Sequence, residues 1–264
     1  MTSDSTRSAS SLFALYDASF YDEQVRGSAA SAAYFLQHLF KLHRPSSVLD
    51  VGCGRGTWLK VCGELGAPDL YGIDGPWNHQ DKMLDQRIKF SAMDLNAPLT
   101  APYKVDLAMS LEVAEHLKPE TAQSFVAFLS SVSDVVLFGA AFPGQGGVNH
   151  INEHYPSYWG ESFSNNGFDV FDMFRPKFWS LEAVEPWYRQ NTFLYVRRGN
   201  PLSSSLAQCG IRPMENIAFM DCVLPRLYEQ NATQTFTQHL NDLLPSLSRA
   251  LRTRLGPRLR QRKS

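Results

Sequence analysis

The feature that most constrains the fold is a short apolar segment that runs directly into a cluster of glycines. Residues 47–51 are apolar and rich in β-forming side chains, and three glycines alternate over 52–56. A helical pattern over 57–65 follows, and Gly66 ends it. Glycine accepts positive φ and lets the backbone approach a ligand closely. The segment therefore predicts a strand, a tight turn and a helix, which is a building unit of parallel sheets.

The alternation of strand and helix patterns continues along the chain. Further strands are predicted at 70–74, 88–92, 105–110, 135–138, 169–173 and 192–196, and helices at 29–42, 80–86, 121–132 and 157–165. Strands that alternate with helices form parallel βαβ units, in which helices cover both faces of the sheet. The predicted fold class is α/β, with an open, doubly wound, Rossmann-like sheet.

The pattern divides the chain into three parts. These are an N-terminal helical cap over 1–45, a central ligand-binding domain over 46–200, and a helical extension with a basic tail over 201–264. With 264 residues and 44% hydrophobic side chains, the chain can bury a large core. Its apolar runs are far shorter than the ~20 residues of a membrane span, and no secretory signal is readable. We therefore predict a cytoplasmic protein with reduced cysteines.

The C-terminal charge does not indicate a nucleic-acid or membrane partner. Seven of the 25 basic residues lie in the last 16 positions, where there is no acidic residue. A short basic terminus is most often a solvated tail. We predict a small-molecule partner and leave an oligomer open.

The spacing of the glycines separates two classes of cofactor site. A dinucleotide site would place its third glycine at position 57, which is a threonine. The third glycine is instead Gly56, and Asp50 lies two residues before Gly52. The segment 48–57 resembles the first motif of class I S-adenosylmethionine-dependent methyltransferases. Further segments in the expected order, ending with Glu115-His116-Leu117 after the fourth strand, extend this resemblance over residues 48–196.

The resemblance implies a seven-stranded sheet with an antiparallel last strand, and S-adenosylmethionine as the cofactor. Asp74, at the end of the second strand, is expected to accept the ribose hydroxyls. Asp94 is expected to accept from the adenine amine, and Leu95 to offer backbone contacts. The predicted cofactor-binding residues are Asp50, Gly52, Cys53, Gly54, Gly56, Asp74, Asp94, Leu95 and Ser110. The helical cap could cover the cofactor with Tyr16, Phe20 and Tyr21.

Transfer of a methyl group to a hydroxyl requires removal of a proton, for which histidine is suited. His116 follows the predicted fourth strand, and His150 and His154 follow the fifth, on the ligand side of the sheet. His150 lies in a polar, Gly-rich loop and is the predicted general base. His116 ranks second because a scaffold role is more common at its position, and His154 is the third candidate.

Three alternatives stay open at this stage. His150, Glu153 and His154 match the H-x-x-E-H pattern of zinc hydrolases, but Gly147 precedes the pattern and Pro156 ends it, which disfavours the required helix. We therefore predict no metal site, although the same side chains could hold a divalent ion that orients a diol. The third alternative is a non-catalytic protein with this fold.

The acceptor class is narrowed by the residues around the predicted pocket. After the fourth strand, the chain lacks the Asn/Asp-Pro-Pro-aromatic pattern of many enzymes that methylate the amino groups of bases. An aromatic cluster, Trp179, Trp187 and Tyr188, precedes three polar residues, Arg189, Gln190 and Asn191. Such a wall suits a hydroxylated ligand. We predict O-methylation of a small hydroxylated metabolite or sugar.

Overall fold

The computed structural model describes residues 18–100 and 103–229, with side chains from residue 27 onward. Its centre is a mixed sheet of seven strands. The strands are β1 (Ser47–Val51), β2 (Asp69–Asp74), β3 (Ile88–Ala92), β4 (Leu107–Leu111), β5 (Val135–Gly139), β6 (Phe168–Phe171) and β7 (Phe193–Arg197).

A further helical segment starts at Pro225, and seven α-helices are described before it. They are α1 (Ala18–Leu39), α2 (Thr57–Glu64), α3 (Ala122–Val132), α4 (Pro156–Asn165), α5 (Arg175–Phe178), α6 (Pro186–Asn191) and α7 (Leu202–Gln208). Short 3-10 turns occur at Gln80–Lys82, Ala114–His116, Pro119–Thr121 and Ile217–Asp221. None of the helices within the described residues is long and apolar enough to cross a membrane.

The strand order is β3-β2-β1-β4-β5-β7-β6. The first five strands run parallel, and β7 pairs antiparallel with both β5 and β6. The order reverses between β1 and β4, and in such sheets ligands bind outside the carboxyl ends of the strands at this switch point. The predicted fold class is confirmed, including the antiparallel strand.

Alternate residues of each strand bury into opposite layers of the core. In β1, Val48 packs into the layer that contains α1 and α2, whereas Leu49 packs into the layer that contains α3 and α4. This follows from the two-residue period of a strand that is covered on both faces. The rigid sheet thereby fixes the carboxyl ends of β1, β2 and β4 relative to one another.

The helix predicted over 80–86 is only the 3-10 turn Gln80–Lys82. The Gln80 side chain donates to the Ile88 carbonyl at 2.8 Å and accepts from the Phe90 N–H at 2.9 Å. Asp85 accepts from the Arg87 N–H at 2.9 Å. These side-chain bonds compete with helical backbone bonds and tie the segment to β3.

The two ends of the chain are described only in part. Helix α1 is described from Ala18 onward; of the cap residues predicted to cover the cofactor, Tyr16 lies outside the described residues, and so do the side chains of Phe20 and Tyr21. The helical stripe predicted beyond residue 230, together with the basic tail, also lies outside them.

A buried arginine attaches the segment after α7 to the sheet. Arg175 donates to the Asp172 carboxylate at 2.8 Å and to the carbonyls of Met220 and Phe219 at 2.7 and 2.9 Å. Its guanidinium lies 4.5 Å from the centroid of the Phe193 ring. The five N–H donors of arginine suit such a convergence of acceptors.

We expect Arg175→Met to lower the free energy of unfolding by roughly 3–5 kcal/mol, because it leaves the largely buried Asp172 carboxylate and two carbonyls without their donor. Chemical denaturation measures this change. Arg198→Met is the matched control, because Arg198 pairs with Asp169 at the surface, where such a pair contributes about 1 kcal/mol or less. Equal losses in the two variants would contradict the anchoring role.

Candidate functional site

The turn after β1 requires glycine for two different reasons. Gly52 has φ +84°, and a Cβ there would lie 2.3 Å from the Cγ2 of Val113. Gly54 has φ +53°, and the position of its missing Cβ has no atom within 4 Å. Gly52 is therefore needed for packing, whereas Gly54 leaves open space beside the backbone. Gly56, with φ +78°, precedes the first residue of α2.

Asp74 connects the end of β2 to this turn. Its carboxylate accepts from the Gly54 N–H and from the Gly75 N–H, each at 2.6 Å. The Asn78 side chain donates to the Gly54 carbonyl. Burial raises the pKa of Asp74, and the two backbone hydrogen bonds offset part of this increase. The second strand thus holds both the turn and a carboxylate at the same edge of the sheet.

Asp50 is the second buried carboxyl residue at this edge, and the residue is 4% exposed. Burial, together with the nearby charge of Asp74, raises the pKa of Asp50 to about 8. Two acidic groups that share a buried site disfavour ionisation of each other. Asp50 is therefore largely protonated at neutral pH when no cation is bound.

A cavity of about 230 Å³ opens beside the glycine turn. Helix α1 closes one side, where the Ser28 hydroxyl accepts from the Trp58 indole at 3.1 Å and lies 3.3 Å from the Tyr188 hydroxyl. Burial raises the pKa of Tyr188 to about 12, so the phenol stays protonated. The lining residues are Ser28, Asp50, Gly52, Cys53, Gly54, Arg55, Thr57, Trp58, Leu111, Glu112 and Tyr188.

Glu112 is the carboxylate that faces this cavity from the end of β4. It adopts φ +57°, which is uncommon for a side chain other than glycine. Its Oε1 accepts from the Asn191 amide at 2.9 Å, and its Oε2 accepts from the Gln145 amide at 2.7 Å. Burial raises the pKa of Glu112, whereas these two donors lower it. The strained backbone and the two amides fix the carboxylate in place.

Glu112, Ser28 and Trp58 were not predicted as site residues, whereas Tyr188 was predicted in the aromatic wall of the acceptor pocket. The position of Glu112 in the sequence could have predicted it as a site residue, because it is the first residue after β4 and the parallel strands end at the ligand edge of the sheet. Ser28, Trp58 and Tyr188 lie on three separate helices, α1, α2 and α6. No spacing along the chain predicts that these helices meet.

Two of the predicted catalytic histidines lie side by side. The rings of His116 and His150 are 4.8 Å apart between centroids and meet edge to face. The Nδ1 of His150 lies 2.8 Å from Glu153 Oε1, while Glu153 Oε2 accepts from the Gly144 N–H. The described residues that line the cavity include Glu112 but none of the three histidines.

The third histidine, His154, lies away from this pair. Its Nε2 is 3.0 Å from the Asn152 side-chain oxygen, and its ring stacks on Tyr158 at 3.8 Å. The segment from His150 to Tyr155 is not helical, since α4 begins only at Pro156. Among the described residues, His154 therefore does not join His150 and Glu153 in a zinc-binding set.

A family model described as a methyltransferase domain matches residues 21–171. The chain belongs to this family. The seven-stranded order identifies the methyltransferase as a class I, Rossmann-like member, whose cofactor is S-adenosylmethionine. No curated protein sequence matches the chain.

Solved structures with a similar fold are distant in sequence. CalS10 bound to S-adenosylmethionine, an amino pentose methyltransferase from Micromonospora echinaspora, is 13% identical, with 69% of this chain and 97% of that chain covered and a TM-score of 0.51. DesVI from Streptomyces venezuelae is 17% identical, with 69% and 100% covered and a TM-score of 0.51. Magnesium protoporphyrin IX methyltransferase from Synechocystis is 19% identical, with 69% and 88% covered and a TM-score of 0.49.

The other predicted cofactor residues of the methyltransferase lie in different surroundings. Cys53 is buried at the wall of the cavity, and burial raises the pKa of its thiol. Asp94 is exposed just after β3 and accepts from the Asn96 N–H at 2.9 Å, whereas Leu95 is buried. Ser110 is fully buried within β4, and its hydroxyl has no partner among the described residues. Asp94 thus shares the ligand edge of the sheet with Asp74.

The residues of the predicted aromatic and polar wall have different contacts in the structure. Tyr188 faces the cavity and Asn191 holds Glu112. Arg189 instead donates to the Trp179 carbonyl at 3.0 Å. Gln190 donates to the Cys222 carbonyl at 2.6 Å and accepts from the Leu224 N–H. Tyr188 and Asn191 therefore belong to the site of the methyltransferase, whereas Gln190 anchors the C-terminal segment.

Proposed function

We propose that this methyltransferase transfers the methyl group of S-adenosylmethionine to a hydroxyl of a small acceptor, which is a sugar or a similarly hydroxylated metabolite. The observation that carries this proposal is that Glu112 lines the same cavity as the Gly52–Gly54 turn. A carboxylate beside the reacting methyl group can take the proton of an acceptor hydroxyl.

The cofactor would be held by the edge of the sheet that carries Asp50, Asp74 and Asp94. Asp74 already receives two backbone N–H groups, and each carboxylate oxygen has a further lone pair for a ribose hydroxyl. The open space beside Gly54 lets the cofactor approach the backbone. Asp94 would accept from the adenine amine beyond the end of β3.

Methyl transfer from a sulfonium is a direct displacement, so the acceptor oxygen, the methyl carbon and the sulfur must lie in line. The carbon–sulfur bond breaks as the new carbon–oxygen bond forms, and the hydroxyl proton passes to a base. We assign the role of this base to Glu112 rather than to His150, because Glu112 lines the cavity. The Asn191 and Gln145 amides hold the carboxylate in position for this transfer.

The acceptor class follows from the polar groups around Glu112. Asn191 and Gln145 bond to each other at 2.8 Å as well as to Glu112. A hydroxylated ligand can exchange hydrogen bonds with such groups, whereas an apolar acceptor would leave them unpaired. The fold also serves an amino pentose methyltransferase, so a sugar acceptor is compatible with this scaffold.

Incubation with methyl-labelled S-adenosylmethionine and a panel of sugars, sugar nucleotides and phenols tests the proposal. We expect mass spectrometry to find the label on an oxygen of one acceptor. Calorimetry with S-adenosylhomocysteine separates two kinds of failure. Binding without label transfer to any hydroxylated acceptor would favour the non-catalytic alternative, and label found on nitrogen or carbon would contradict O-methylation.

We expect cofactor binding at pH 7 to release a proton from Asp50. The pKa of about 8 keeps this carboxyl protonated in the unliganded protein, and the cationic cofactor favours the ionised form. Calorimetry in two buffers of different ionisation enthalpy should show release of a substantial fraction of one proton. The release should be much smaller in Asp50→Asn, and equal release in both proteins would contradict the assignment.

The same pKa sets the pH dependence of stability. Because the folded-state pKa of Asp50 lies above the usual 3.8, the unfolded chain loses this proton first. The contribution of Asp50 to the free energy of unfolding is therefore fully present at acidic pH, and it is lost as pH rises from about 4 through about 8. Thermal unfolding without cofactor should show this loss in the wild type and a smaller one in Asp50→Asn.

A further inference from the structure

We propose that Glu115, His116 and His150 form a binding site for a first-row divalent metal ion. One ligand atom from each side chain lies within 4.8 Å of the other two. Glu115 is fully buried, and within the described residues its carboxylate oxygens have no side-chain donor or cation; the groups that face them are the backbone N–H groups of Glu115 and Ala141, at long or bent geometry. A buried carboxylate is costly to ionise unless a cation compensates its charge. The ion would supply this compensation.

Both histidines are oriented as metal ligands usually are. The Nδ1 of His150 bonds to the Glu153 carboxylate at 2.8 Å, and the Nδ1 of His116 bonds to the Asn149 carbonyl at 3.3 Å. Because these oxygens accept, each Nδ1 carries the proton and each Nε2 presents a lone pair. A carboxylate or carbonyl behind the distal nitrogen fixes the tautomer and orientation of metal-binding histidines.

Two backbone features support this arrangement. A Cβ at Gly147 would lie 2.1 Å from the Nε2 of His150, so any larger residue would block the nitrogen that is free to ligate. Asn149 has φ +61°, and its carbonyl receives the Nδ1 proton of His116. The loop after β5 therefore keeps space at one ligand and orients the other.

The ligand set indicates the class of ion. Two imidazoles and one carboxylate suit Mn²⁺, Fe²⁺, Co²⁺ or Zn²⁺ better than Ca²⁺. Bonds of about 2.1 Å place neighbouring ligand atoms roughly 3–3.5 Å apart, so the side chains must close by up to roughly 1–2 Å on binding. Because the His116 side chain is exposed, the ion has a path from solvent.

The proposed metal site shares the turn after β4 with a residue of the cavity wall. Glu112, which lines the cavity, precedes Glu115 in the same turn after β4, and Gln145 in the loop of His150 donates to Glu112. Three protein ligands leave coordination positions open, as in catalytic metal sites. If the proposed function holds, on which this step rests, those positions take two neighbouring hydroxyls of the acceptor. The acceptor class is then a vicinal diol.

Co²⁺ is the probe, because its visible spectrum reports imidazole ligation. The full chain is treated with a chelator, dialysed and titrated with CoCl₂. We expect one Co²⁺ per chain in the wild type, displaced by Zn²⁺. Glu115→Gln, His116→Asn and His150→Asn should each weaken binding by roughly 10²-fold or more, and Glu153→Gln by roughly 10–100-fold, because Glu153 only orients His150.

His154→Asn is the matched control, since this nearby histidine bonds to Asn152 and lies outside the cluster. It should bind Co²⁺ like the wild type. S-adenosylhomocysteine binding checks that each variant is folded, and the exposed His116→Asn carries the test if Glu115→Gln does not fold. A wild type that binds S-adenosylhomocysteine but no Co²⁺ or Zn²⁺, or ligand variants that still bind Co²⁺ normally, would overturn the proposal.

This titration needs no turnover, so its outcome is separate from that of the acceptor screen. Metal binding without methyl transfer to any hydroxyl would support the proposed metal site and contradict the proposed function. If the protein binds Co²⁺ but still transfers methyl groups after complete metal removal, the metal site would be supported and its role in holding a diol would be contradicted.

Discussion

Glu112→Gln is expected to lower turnover by roughly 10²–10⁴-fold, the usual contribution of a positioned base. Glutamine keeps the size of the side chain but has little basicity for the acceptor proton. The cofactor should still bind, because the Gly52–Gly54 turn and Asp74 are unchanged. Steady-state rates on the acceptor identified by the labelled-methyl screen, together with calorimetry for S-adenosylhomocysteine, measure both quantities.

The control for this variant is Glu120→Gln, which changes an exposed glutamate in the turn Pro119–Thr121. It should retain normal turnover. Near-normal turnover in Glu112→Gln would contradict the role of Glu112 as the base, and His150, the base predicted from the sequence, would be the next candidate. A loss of cofactor affinity that accounts for the whole rate change would instead assign Glu112 to cofactor binding.

Asp74→Ala is expected to weaken S-adenosylhomocysteine binding by roughly 10²–10⁴-fold. The variant removes charge-assisted hydrogen bonds to the ribose, each worth about 1.5–3 kcal/mol. It also removes the acceptor for the Gly54 and Gly75 N–H groups, so the turn itself loses a support. Calorimetry measures the dissociation constant, and thermal unfolding shows whether the variant is folded.

Two further variants separate the ribose contact from the support of the turn. Asp74→Asn keeps an oxygen that can accept one backbone N–H but loses the charge, so it should bind more weakly than wild type and better than Asp74→Ala. Asp69→Asn changes the opposite end of β2, where Asp69 pairs with Lys89 at the surface. This variant should bind normally. An unchanged dissociation constant in folded Asp74→Ala would contradict the ribose assignment.

The local pattern was sufficient to predict the sheet and the glycine turn. Strand and helix periodicity depends on neighbouring residues, so the pattern around 47–65 predicted β1, the turn and α2 with small errors at the ends. The helix at 80–86 was wrong because Gln80 and Asp85 bond to the backbone near β3, which the helical pattern does not record. Of the predicted cofactor residues, Asp50, Gly52, Cys53 and Gly54 line the cavity.

The sequence by itself determined the fold class, the methyltransferase resemblance and the position of the glycine turn, because these depend on backbone periodicity and on residues close together in the chain. Only the tertiary structure decided which remote side chains meet there. Glu112 accepts a hydrogen bond from Asn191, which lies 79 positions later in the chain, and His116 lies beside His150 rather than beside His154. The H-x-x-E-H spacing brings ligands together only on a helix, whereas in this fold the ends of β4 and β5 bring the histidines together.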